Sequence, residues 1–152
     1  MEMNNSKLYN IIFPLWTLIF FPPYIFLVLI GNLIIDALVI FLTTYFNRIK
    51  LSRKELKTII IRAWAFGFGA DLIGVFLLFL LSTTFKFNGY NAFESLEAAF
   101  SFIASVILAG MLIAFFNYRQ CRKFMDGKIA RKVGIAMGII TAPWMFFIPT
   151  HY

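Results

Sequence analysis

At 152 residues, 61% hydrophobic and 19% aromatic with only 14% charged, the chain is too apolar for a water-soluble domain, whose composition normally includes about 25% charged residues. Its net charge of +7 is grouped rather than spread: six basic residues lie between Arg48 and Arg62, six between Arg119 and Lys132, and only Lys7 and Lys86 elsewhere. Short basic loops flanking long apolar runs mark cytoplasmic connections between membrane helices, so the expectation is an all-α, polytopic membrane helical bundle with no nucleic-acid role.

Residues 8–46 are nearly continuously apolar, too long for one straight span and too short for two with a loop. Pro22-Pro23 divides them, because proline pushes the residue before it out of helical geometry and is itself well placed at a helix start. Helix 1 is therefore predicted over 23–46. Residues 8–21, with Tyr9 and Trp16, form an interfacial or re-entrant segment, since fourteen helical residues cover only ~21 Å. Asn32 and Asp36 stand one turn apart on helix 1. No cleavable signal pattern is evident in this N-terminal region.

Ser52 and Glu55 fit a capping box, which predicts that helix 2 begins at 53 and runs to 81. Within residues 63–81 Asp71 is the single charge, and it falls near mid-span in a stretch of ~28 Å. Ala63, Gly67, Ala70 and Gly74 recur at spacings of four, three and four, a narrow seam that lets another helix approach closely. Ser82 to Thr84 and the Asn88-Gly89 turn signal form the expected outer loop.

Asn91 and Glu94 resemble a second capping box and place helix 3 over 92–125, with Glu94 and Glu97 near its positive end and Asp126-Gly127 as its stop. Helix 4 is predicted over 129–148. Ala130, Gly134, Gly138 and Ala142 make a four-residue ladder for close packing, Pro143 interrupts the regular helix, and Trp144 and Tyr152 suit the outer interface. Loops 47–62 and 117–132 are then cytoplasmic and the C-terminus with His151 is outside, with the plasma membrane as the expected location. Helices 2 and 3 carry basic cytoplasmic extensions.

Counting from the basic ends puts Asp36, Asp71, Ser105 and Thr141 roughly 13 to 21 Å deep. With Asn32 they form a candidate intramembrane polar site. No Lys or Arg is available at that depth to neutralise the aspartates, which favours protonation or cation binding over an ion pair. Gly67-Phe68-Gly69-Ala70-Asp71 resembles the Gly-x-Gly-Asp element of intramembrane aspartyl proteases, which pairs with an Asp on the preceding helix. Ala70 is an extra residue in that pattern and turns the Asp by about 100°.

Other chemistry is poorly supplied. One His and one Cys cannot make a zinc site or an internal disulfide, and no phosphate-binding glycine loop is present. No cofactor is expected. The packing features favour a non-enzymatic interaction or accessory subunit that binds a membrane-protein partner or a second copy of itself. Anionic lipid headgroups are expected at the basic loops. The alternative is a proton- or cation-coupled transporter or channel using the two mid-membrane aspartates.

Overall fold

The computed structural model describes residues 24–87, 89 and 91–148. The segment 8–21, Asn88, His151 and Tyr152 lie outside the described residues. Four helices, α1 (Tyr24–Phe46), α2 (Arg53–Phe85), α3 (Leu96–Cys121) and α4 (Gly127–Ile140), are followed by a 3-10 turn at Trp144–Phe147. No strand occurs among the described residues. All four helices, α4 together with its 3-10 continuation, are long and apolar enough to cross a membrane.

Local chemistry sets the helix ends. Ser52 Oγ accepts from Glu55 N–H while the Ser52 N–H donates to the Glu55 carboxylate at 2.8 Å, which closes the capping box at the start of α2. α2 runs four residues beyond 81, because Ser82, Thr83 and Thr84 turn their hydroxyls back onto the Phe79 and Leu80 carbonyls. Those back-bonds let polar residues continue a helix that they would otherwise end. The left-handed Lys86, φ 57°, then stops it.

α3 begins later than expected, at Leu96. Its cap is Ser95, which accepts from Ala98 N–H at 3.1 Å, whereas Asn91 accepts from Phe93 N–H and folds the preceding turn. Its far end also differs: Cys121 is the last helical residue, and Asp126 caps the start of α4 by accepting from Lys128 N–H. Asp126 therefore opens one helix rather than closing the other, and Gly127 is the first residue of α4.

Short connections make successive helices antiparallel neighbours. α3 packs most extensively, against both α2 and α4, while α1 leans more lightly on α2 and α4. The α1–α2 and α3–α4 connections consequently share one end of the bundle, and both basic groups gather there. Lys132 of α4 donates to the Asn47 side chain beyond α1 at 3.3 Å, tying that end together.

The α3–α4 contact depends on glycine. A Cβ on Gly138 would lie 2.5 Å from the Gly110 carbonyl oxygen, and one on Gly134 would lie 2.6 Å from that of Ala114. Neither helix has room for a methyl group at these crossings. The buried apolar residues form two clusters. One surrounds Ile40, Ile59, Ala63, Ile113 and Met137 towards the basic end, and the other joins Leu78, Phe102, Val106 and Phe146 towards the opposite end.

Candidate functional site

Between these clusters lies a cavity of about 230 Å³, lined by α1, α2 and the end of α4. The regular part of α4 ends beside it, at Ile140. Pro143 has no N–H to offer the Ile139 carbonyl four residues back, and the Trp144 indole N–H takes that acceptor at 2.7 Å instead. Thr141 closes the regular helix with both its backbone N–H and its hydroxyl on the Met137 carbonyl. The 3-10 turn Trp144–Phe147 follows, and Trp144, Met145 and Phe146 line the cavity with Ile140 to Pro143.

Asn32, Asp36, Asp71 and Thr141 all line this cavity. Asp36 is only 3% exposed, and no hydrogen-bond partner for it is present among the described residues. Its Oδ2 lies 3.8 Å from where a Cβ on Gly67 would sit, so α1 brings this carboxylate directly against α2. Asp71 is one turn from Gly67 on the same face of α2, where side chains four apart begin about 6 Å from each other. The two carboxylates are within electrostatic reach of each other. Asp71 Oδ1 is also buried without a hydrogen-bond partner.

Ser105 is not part of this arrangement. It is fully buried on α3, donates its hydroxyl to the Ser101 carbonyl at 2.8 Å, and lies behind Gly74, whose added Cβ would meet the Ser105 carbonyl oxygen at 3.2 Å. Its polarity is consumed inside α3. The small-residue seam of α2 thus serves two neighbours: Gly67 admits Asp36 of α1, and Gly74 admits α3 at Ser105 and Ala109. Ala63 and Ala70 are buried in the core, and Gly134 and Gly138 are used within the chain by α3.

A second polar group was not singled out from the sequence. Gln120 Nε2 donates to Asn117 Oδ1 at 2.7 Å and to the Ile59 carbonyl at 3.2 Å, linking α3 to α2, while Asn117 donates to the Ile113 carbonyl. The available signal was two amides three residues apart at the basic end of an apolar helix. Trp64 of α2 also donates to the Leu29 carbonyl of α1 at 2.9 Å, one of few polar ties holding α1.

Chemically, the cavity combines two acidic groups with the C-terminal end of α4, which carries the partial negative charge of a helix dipole. The described residues that line it include no Lys, Arg or His, and the two aspartates are the only titratable side chains among them. Two ionised carboxylates in an apolar space repel each other and lack solvation, so the site requires protons or a bound positive charge. No group of three or more metal-ligating side chains occurs among the described residues. No protein-family model, curated protein or solved structure matches the chain.

Proposed function

We propose that this protein is a helical membrane bundle that binds and carries a cation in exchange for protons at Asp36 and Asp71. The observation that carries this reading is that Asp36, 3% exposed, and Asp71, whose Oδ1 is buried without a hydrogen-bond partner, share one cavity to which the described residues contribute no basic side chain. If Asp71 served only to hold helices together, it would be expected to bond to a neighbouring helix, as the Gln120 amide nitrogen does with Ile59 even though the Gln120 oxygen is itself buried without a partner. The interruption of α4 fits the same role, since broken helices in transporters place helix ends and carboxylates around coupling ions. Peptide hydrolysis fits less well, because an extended substrate needs a groove longer than a 230 Å³ cavity provides.

In this reading the basic end faces the cytoplasm of a plasma-membrane protein, and the 86–95 connection faces outward. Arg62, Arg119 and Lys123 line a groove with Phe66, Phe115 and Phe116, a combination suited to an anionic phospholipid at the inner interface. Orientation is tested with single cysteines in a Cys121→Ala background. Phe93→Cys, at an exposed position, should react with an impermeant maleimide added outside cells, and Lys57→Cys should not. The reverse pattern would invert the topology.

Transport is tested in proteoliposomes with an internal pH dye. External cations, including sodium, potassium and quaternary ammonium salts, are added in turn to vesicles loaded at low pH. At least one cation should drive proton efflux, and Asp36→Asn or Asp71→Asn should slow that efflux at least tenfold. Equal efflux from protein-free vesicles, or undiminished efflux with both variants, would refute the reading.

An accessory-subunit role keeps support from Gly31 and Gly69, where an added Cβ would meet nothing within 4 Å and a second helix has room to approach. Co-purification in mild detergent tests it, and a chain that runs alone argues against it.

A further inference from the structure

We propose that the cargo is an organic cation with an apolar body, of the size and type of a phenyl-substituted quaternary ammonium ion. This inference rests on the cation-carrier reading and names what that site takes. Its first support is the cavity's lining: eleven of the fifteen described residues that line it are apolar, and Phe68, Trp144 and Phe146 supply aromatic surface beside the carboxylates. Aromatic faces attract quaternary ammonium groups through their ring quadrupole.

Size gives the second support. An apolar protein cavity of about 150 Å³ holds one benzene molecule of six heavy atoms. By the same proportion, 230 Å³ takes about nine or ten. Phenyltrimethylammonium has ten heavy atoms, and its charge cannot be lost by deprotonation. A bare sodium ion or proton would leave most of the cavity unfilled.

The third support is access. Ile35, Leu72, Ile140, Trp144 and Met145 line the cavity and are each more than 40% exposed. These positions lie in the apolar part of the helices or just beyond the end of α4, so the mouth opens sideways towards lipid. Such a route suits a molecule whose apolar body partitions into the bilayer. Asp36, only 3% exposed and without a hydrogen-bond partner among the described residues, then meets its charge at the inner end. Arrival of the monovalent cation displaces one proton from the carboxylate pair, one positive charge for another, and no covalent step is involved. No other titratable side chain from α1, α2, α4 or the 3-10 turn lines the cavity, and α3 contributes none.

The experiment titrates phenyltrimethylammonium into the full-length protein in mild detergent, following heat and proton release together. Saturable binding with proton release is expected, weakening as pH falls because protons compete for the same groups. Asp36→Asn and Asp71→Asn should each weaken it at least tenfold. Val75→Phe, which fills the cavity and leaves both aspartates in the sequence, should also abolish binding and provides a second variant if an Asn substitution misfolds. tert-Butylbenzene, the uncharged molecule of the same shape, should bind at least tenfold more weakly than the cation. Equal binding of the two would overturn the proposal by showing an apolar void with no preference for charge. Sodium binding that depends on both aspartates, with no phenyltrimethylammonium binding, would overturn the organic cargo and leave the carrier reading standing. Loss of carboxylate dependence for every cation would remove both.

Discussion

The α3–α4 seam and the α1-facing side of the bundle are built to opposite tolerances. Along the seam, glycines bring backbones so close that a single methyl group would collide with a carbonyl oxygen at Gly110, Gly134 and Gly138. Across the bundle, α1 packs more lightly and borders a cavity containing two acids, with Asp71 Oδ1 buried and without a hydrogen-bond partner among the described residues. One side has no room for an added methyl group at its glycine crossings, and the other retains both a cavity and unsatisfied polarity. A packed pair of helices acts as a rigid reference, while a lightly held helix beside a cavity can shift without breaking the core. That contrast is what a carrier needs if one wall is to move relative to a binding site fixed in the other.

The largest effect should come from breaking the tight side. Gly138→Leu places a four-carbon side chain where even a Cβ meets the Gly110 oxygen at 2.5 Å and the Ala114 Cβ at 2.7 Å. The α3–α4 contact should be lost, and the variant should fail to give a cooperative unfolding transition by circular dichroism in detergent. Gly138→Ala should retain the fold and lose about 1 to 3 kcal/mol, the usual cost of overpacking a filled interface.

The cavity side should respond with the opposite sign. Replacing Asp71 by Leu removes a buried oxygen that has no hydrogen-bond partner and adds apolar volume to the cavity. Thermal unfolding at neutral pH should shift upward by the equivalent of about 1 to 3 kcal/mol, because an unsatisfied buried polar group costs about that much. Cation-driven proton efflux should disappear in the same protein. A more stable but inactive variant would mark Asp71 as a functional residue held at a structural cost. A destabilised variant would instead identify it as structural glue.

How much of this was legible in the sequence follows from the range of the interactions. The Ser52–Glu55 box depends on residues three apart, so its chemistry is visible in the string. Near the start of α3, Asn91 and Ser95 offer the same type of acceptor, and only the packed structure assigns the cap to Ser95 and the turn to Asn91. The depth of Asp36 and Asp71 could be counted, but depth says nothing about direction around a helix. Ser105 shares their depth and faces elsewhere. Pro143 announced a break, whereas the cavity beyond it depends on three segments and is a tertiary property. Gly110 was overlooked because its importance exists only opposite Gly138.

A smaller test removes the Ser52 cap. Ser52→Ala leaves the Glu55 N–H without its side-chain acceptor at the exposed end of α2, far from both the seam and the cavity. The expected loss is about 1 kcal/mol in unfolding free energy, with transport unchanged. A loss of transport without a larger loss of stability would show that the basic end of α2 moves during the cycle.

The smallest effect discriminates most finely, because it uses one substitution at two glycines. Gly69→Ala adds a methyl group where nothing lies within 4 Å, so it should gain from lower backbone entropy in the unfolded chain, at most about 1 kcal/mol. Gly138→Ala should lose stability under the same conditions. If the two changes have opposite signs in a dilute detergent titration, the α3–α4 seam is specific and the open face of α2 is free. If Gly69→Ala is instead destabilising, and more so at protein concentrations where the chain self-associates, a second copy packs against that face. The lightly held side of the bundle would then be closed by a partner, and α1 would have less freedom than the isolated chain allows.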